Sequence, residues 1–226
     1  SCHPGEKITE GLDGLRDRLA LYYQNGAKFC KWRAVITIGN TIPSDACIES
    51  NMNALARYAS LCQENNLVPI VEPEVLINGS HTIDRCDEVT RKSLHSLFNQ
   101  LKMMNVFLPG TILKPSMVIS GQENDSRANQ EEVATKTIAC LKDCVPTDTA
   151  GIAFLSGGQT DAEAESHLNI MNQKNDLPWR VTFSYARAIQ AAALAAWQGK
   201  DDNLATSQSI LIDRAQRCSN SSVGKL

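Results

Sequence analysis

Excess positive charge, long apolar runs and closely spaced cysteines are all missing from this chain of 226 residues. Lys and Arg number 22 against 25 Asp and Glu, a formal net charge of -3. No broad field therefore exists to hold a nucleic-acid backbone or an anionic membrane; neither partner is expected, and any bound anion must be held locally. No run of 18 apolar residues occurs, and the opening SCHPGEKITEG has no apolar signal core. The expectation is a chain without a membrane span or secretory signal, located in the cytoplasm or an organelle matrix. The sequons at Asn78, Asn124 and Asn220 carry no weight there. None of the eight cysteines (2, 30, 47, 62, 86, 140, 144 and 218) has a partner at the two-residue spacing of a zinc knuckle or redox motif. Dispersed buried thiols are expected; Cys140 and Cys144 share a helix face, but no His is expected to accompany them.

What is present, with 42% apolar residues, is an alternation of short apolar runs with long amphipathic ones. Strands are expected at 27–38, 67–76, 110–119, 151–157 and 179–186, each β-branched or aromatic and bounded by Gly, Pro or Asn. Helices are expected at 12–24, 44–64, 89–104, 131–144, 161–172, 187–198 and 202–217, with caps such as Ser44 and Thr160. Repeated strand and helix units imply parallel strands and right-handed crossovers, an α/β fold. An open dinucleotide-binding sheet should carry a glycine fingerprint after its first strand, and KWRAVITIGN offers none; a P-loop is also missing. A (β/α) barrel instead places polar residues at the C-terminal ends of several strands, which is the pattern here.

Lys31 and Arg33 are two apart in the first expected strand, so both side chains leave one face; Glu72 and Glu74 do the same in the second. Lys114 follows Thr-Ile-Leu in the third, and Pro115 fixes the exit of the chain. The fourth ends in Ser156-Gly157-Gly158, where glycines let backbone N–H groups approach a phosphate. The fifth runs through Ser184, Tyr185 and Ala186 into Arg187, which opens a helix suited to an anion. Each feature alone reads as a strand end or a turn. Buried charges are costly unless paired or used, and their recurrence at the same place in successive units marks an active site.

Two lysines and two glutamates beside phosphate seats, with no metal-ligand set, suggest amine catalysis on a phosphorylated carbonyl compound. An attacking amine must be neutral. A free lysine titrates near ~10.4, and bringing that to about 7 or 8 disfavours its charge by roughly 4 kcal/mol. Desolvation and a neighbouring ammonium supply such an effect, and Lys114 with Lys31 beside it has those surroundings in this reading. The glutamates would dehydrate the carbinolamine, leaving a protonated imine as the electron sink for C–C cleavage.

Seven ordered blocks carry a resemblance: GLDGL at 11–15, KWR at 31–33, LARYASLCQ at 55–63, VPIVEPE at 68–74, LKP at 113–115, FLSGGQ at 154–159 and TFSYAR at 182–187. Across residues 11–200 the chain closely resembles the class I, metal-independent Schiff-base fructose-1,6-bisphosphate aldolases. That resemblance implies a (β/α)8 barrel and a homotetrameric lyase of glycolysis and gluconeogenesis, with no cofactor and with actin-type scaffold contacts. It implies Lys114 as the Schiff-base lysine, Glu72 as general acid/base, Glu74 as the carboxylate assisting dehydration, and Lys31 as the ammonium that polarises the carbinolamine. Arg33 falls at the second phosphate. Ser156, Gly157, Ser184 and Arg187 fall at the phosphate of the dihydroxyacetone-phosphate end.

The units are spaced at 41 to 42 residues, so 226 residues hold five of them, which the resemblance makes strands four to eight. The expectation is one domain over 1–226: a linker at 1–10, barrel units at 11–200, and a helix with a shortened tail at 201–226. The chain starts at Ser1, part-way into the family pattern, and ends SNSSVGKL without the family's tyrosine-ended tail. Alone it would expose a sheet edge and show little activity. Ala186 replaces a common Gly, and its N–H serves phosphate only if φ is negative there. Other readings are another lysine aldolase such as a transaldolase, or a catalytically impaired fragment that acts as a scaffold.

Overall fold

The computed structural model describes residues 3–174 and 176–226; Ser1, Cys2 and Asn175 lie outside them. Helix α1 (Leu15–Gln24) precedes strand β1 (Phe29–Ile36), followed by α2 (Asp45–Glu64), β2 (Val68–Val75), α3 (Ile83–Met103), β3 (Ile112–Leu113), α4 (Gln130–Cys144), β4 (Gly151–Phe154), α5 (Asp161–Gln173), β5 (Val181–Phe183), α6 (Arg187–Trp197) and α7 (Leu204–Ser221). The strands form one parallel sheet in chain order, β1-β2-β3-β4-β5. Right-handed crossovers between successive neighbours put every crossover helix on one face of the sheet. A doubly wound sheet would need a reversal of strand order, so the architecture is five consecutive units of a (β/α)8 barrel.

Side-chain alternation assigns the two faces of the sheet. In β1, Trp32, Ala34 and Ile36 are buried while Lys31 and Arg33 point the other way. Trp32 stacks at 5.5 Å on Tyr58 of α2, whose hydroxyl donates to the Cys30 carbonyl at 2.5 Å. Full burial of such large side chains contributes about 1.5–3 kcal/mol each. The crossover helices begin at side-chain caps: Ser44, Thr82, Asn129 and Thr160 each accept a backbone N–H from three residues on, and Thr160 with Glu163 completes a capping box. Each cap is worth about 1 kcal/mol.

The third strand is much shorter than the expected 110–119. The ladder covers Ile112 and Leu113 only, because Pro115 has no N–H to continue it. Lys114 still donates its N–H to Val71 O at 2.8 Å, and Ser116 Oγ accepts from Val75 N at 2.9 Å. A second difference is the start of α3 at Ile83 rather than 89. Thr82 caps it there, and Ile83 and Cys86 extend the buried stripe of Val89 back by two turns. The last helix starts after a short 3-10 turn at Asp201–Asn203 and runs to Ser221, beyond the expected 217.

Beyond β2 and β3 the two loops touch. Gly121 donates to His81 O at 2.8 Å, and a Cβ at Gly121 would stand 2.1 Å from Gly79 O. Only a glycine allows that backbone approach.

Candidate active site

All nine residues singled out from sequence line one cavity of about 230 Å³: Lys31, Arg33, Glu72, Glu74, Lys114, Ser156, Gly157, Ser184 and Arg187. Arg33, Glu72 and Glu74 sit in the C-terminal halves of β1 and β2, the residues from β3, β4 and β5 follow the ends of their strands, and Lys31 reaches the same cavity from two residues before Arg33; the C-terminal end of the strands is where a barrel of this kind keeps its chemistry.

The register of β1 and β2 fixes the charges. Arg33 lies opposite Glu72 and Lys31 opposite Ile70. Each cation nevertheless pairs with the carboxylate two residues beyond its own opposite number: Lys31 Nζ is 3.1 Å from Glu72 Oε2, and Arg33 Nε donates to Glu74 Oε2. This diagonal pairing reaches across the twist of the sheet, and long cationic side chains can span it. Both carboxylates are buried while both cations are exposed. Lys114 Nζ stands 3.4 Å from Glu72 Oε1 and is only 13% exposed. One buried carboxylate thus lies between two ammonium groups. The approach of Lys31 to Glu72 Oε2 is not aligned as a hydrogen bond, since that oxygen has no directed donor. The contact is charge-held, leaving a lone pair of Oε2 free for a proton.

At the far side of the cavity Ser156 is buried, and Gly157 and Gly158 take positive φ of 57° and 86°. Gln159 donates its N–H to Ser156 O at 3.0 Å, closing a tight turn whose glycine backbone is open to a small anion, a candidate anion cradle. A Cβ at Gly158 would lie 3.9 Å from Arg187 Nη2, so the guanidinium stands over the cradle. Ser184 donates its N–H to Phe154 O at 2.8 Å, tying the end of β5 to β4. Ala186, at the N-cap of α6, has φ of -104°, meeting the condition that the sequence set for it. Leu155 also lines the cavity; an apolar residue at a strand end gave no signal in the sequence. The same is true of the sharing of Glu72 by two lysines.

The fructose-bisphosphate aldolase class-I family model matches residues 1–226. The chain belongs to the class I fructose-bisphosphate aldolases. The match extends to both ends of the chain, beyond the 11–200 over which the motifs carry the resemblance. Among class I aldolases, a probable class 1 enzyme of Xanthomonas axonopodis pv. citri (strain 306) is 56% identical over 98% of this chain and 67% of its own length. The cytosolic fructose-bisphosphate aldolase 4 of Arabidopsis thaliana is 47% identical over 97% of this chain and 56% of its own. The aldolase of Plasmodium falciparum, solved with TRAP and a small-molecule inhibitor, superposes with a TM-score of 0.97 at 45% identity. That match covers 99% of this chain and 65% of the Plasmodium one. The chain therefore spans about two thirds or less of the length of these aldolases.

One expectation needs correction. His95 of α3 does accompany the Cys140 and Cys144 pair, with Nε2 3.5 Å from Cys144 Sγ. The seven cysteines among the described residues are free thiols, all buried except the part-exposed Cys30; Cys2 lies outside those residues.

Proposed function

We propose that the protein carrying this chain reversibly cleaves fructose 1,6-bisphosphate to dihydroxyacetone phosphate and glyceraldehyde 3-phosphate, a lyase step of glycolysis and gluconeogenesis. The observation that carries this reading is Glu72 standing between Lys114 and Lys31 in a cavity with a phosphate seat. Glu72, 3.4 Å away, takes a proton from the Lys114 ammonium; the freed amine attacks the C2 carbonyl of the sugar, and the same carboxyl delivers the proton that lets water leave the carbinolamine. Lys31 stabilises the negative charge that develops on the departing oxygen. The iminium on Lys114 then accepts the electron pair of the C3–C4 bond as a carboxylate removes the C4 hydroxyl proton. Protonation of the resulting enamine at C3 and hydrolysis release the second triose phosphate. Glu74, held by Arg33, assists the dehydration. No metal or cofactor enters these steps.

Ser156, Gly157, Ser184 and Arg187 seat the phosphate of the dihydroxyacetone-phosphate end, and Arg33 meets the second phosphate. Arg33 belongs to β1 and Arg187 follows β5, so cations border the cavity from the first and last strands. Two separated cationic seats favour a bisphosphate over a transaldolase substrate. We read residues 1–226 as one domain, with 1–10 as linker, 11–200 as strands four to eight of the barrel with their helices, and 201–226 as a terminal helix and tail. We further assign the protein to the cytoplasm as a homotetramer. The Plasmodium aldolase was solved with TRAP, and contacts of that scaffold kind, with TRAP-like or actin-type partners, are the second role proposed here.

Borohydride added to the full-length protein with fructose 1,6-bisphosphate should reduce an imine at Lys114, read by peptide mass. Turnover without an adduct there would remove the Schiff-base mechanism. Binding of a scaffold partner without turnover would favour the second role alone.

A further inference from the structure

At the opposite end of the strands from the active site, three side chains converge with no part in the proposed chemistry. His95 comes from α3, and Asp143 and Cys144 close α4. Cys144 Sγ lies 3.5 Å from His95 Nε2 and 3.8 Å from Asp143 Oδ2, and His95 Nε2 lies 3.5 Å from the same Oδ2. A nucleophilic Cys-His-Asp relay would place sulfur and carboxylate on different nitrogens of the imidazole. Here both face Nε2, so the three atoms form a closed triangle rather than a relay.

That triangle has the dimensions of a metal-ligand face. Zinc bonds of about 2.3 Å to sulfur and about 2.0–2.2 Å to nitrogen and oxygen, spread tetrahedrally, give ligand-to-ligand edges of about 3.3–3.6 Å. The observed edges of 3.5, 3.5 and 3.8 Å agree to within a few tenths of an ångström. Charge is also accounted for. Arg91 bonds the same Asp143 oxygen at 2.8 Å, which by itself would repel a cation. Its guanidinium is met by both oxygens of Asp87, at 3.0 and 2.9 Å, so the pair is neutral. Thiolate and Asp143 carboxylate then balance a divalent ion. His95 and Cys144 line an open groove of about 670 Å³, together with Leu108 ahead of β3 and Asp148 ahead of β4. Water from the groove can occupy the fourth vertex.

We propose that His95, Asp143 and Cys144 form a binding site for a borderline-soft divalent cation of the zinc type, at the N-terminal ends of β3 and β4. The mixed sulfur, nitrogen and oxygen set suits zinc and disfavours magnesium or calcium, which take oxygen ligands alone. This inference does not depend on the aldolase mechanism.

Reduced, metal-free full-length protein should be titrated with Co²⁺ as the spectroscopic probe. One equivalent should bring up a thiolate-to-cobalt charge-transfer band and the ligand-field bands of tetrahedral cobalt, and Zn²⁺ should displace both. Cys144→Ser should abolish the charge-transfer band, and His95→Ala should weaken Co²⁺ affinity at least about tenfold. Cys30→Ser, at the least buried of the described thiols, should leave the spectrum intact. His95 is more than half exposed, so its replacement should spare the far-UV circular dichroism. Absence of the band at millimolar Co²⁺, or a band undiminished in Cys144→Ser, would overturn the site.

Discussion

The Lys114 ammonium stands 3.4 Å from Oε1 of Glu72, and the other oxygen of that carboxylate faces Lys31 at 3.1 Å. A group so placed can move a proton on one side while its charge is held on the other. Replacing Glu72 with Gln keeps the shape and removes the base. The expected loss in kcat is about 10²–10⁴-fold, and borohydride trapping at Lys114 should slow in parallel. An unchanged kcat would take Glu72 out of the proton path.

Lys114→Arg keeps a cation beside Glu72 but offers no amine nucleophile. The variant should fold, retain substrate binding and give neither turnover nor a borohydride adduct. An adduct elsewhere in the chain would move the nucleophile.

Arg187→Ala removes the guanidinium above the Gly157-Gly158 cradle. Losing charge-assisted hydrogen bonds worth about 1.5–3 kcal/mol lowers kcat/KM for the bisphosphate by roughly 10- to 100-fold. An anion analogue such as inorganic phosphate should protect the wild type from thermal unfolding and the variant much less.

Both sides of the charge cluster were legible in the sequence, because a strand's period of two puts Lys31 with Arg33 and Glu72 with Glu74. Their diagonal pairing was not, since it depends on how β1 registers on β2. The length of β3 is hidden in the sequence because apolar character continues to Ile119 while Pro115 stops the ladder at Leu113. The triangle of His95, Asp143 and Cys144 joins residues 49 apart at its widest. No local spacing announces such a meeting; it follows from the packing of α3 on α4.

Burial holds the His167 imidazole well below its ordinary range, at about 4, with Nδ1 donating to Gln159 Oε1 at 2.6 Å. In the unfolded chain it titrates near 6.5. A group depressed on folding contributes its stability in full above the unfolded value and loses it as pH falls toward the folded one. From pH 7 to about 4 this histidine alone should remove up to ~3 kcal/mol. Urea melts at pH 7 and 5 should differ less in His167→Gln than in the wild type, and equal differences would deny His167 that role.

Gly121→Ala drives a Cβ onto the Gly79 carbonyl at 2.1 Å. The backbone must shift, at a cost of about 1–3 kcal/mol or more, lowering Tm by several degrees. A melt within a degree of wild type would mean that the two loops separate freely.

The two-residue β3 has a consequence for the nucleophile. Lys114 follows it directly, anchored by its own N–H on Val71 and followed by a proline whose carbonyl accepts from Leu155. Its place is therefore inherited from the neighbouring strands on either side, like a peg set between two rails. A cavity opened at Val71 or Leu155 should displace the reacting nitrogen as much as any change beside Lys114. Distance along the chain is then a poor guide to which substitutions the chemistry will feel.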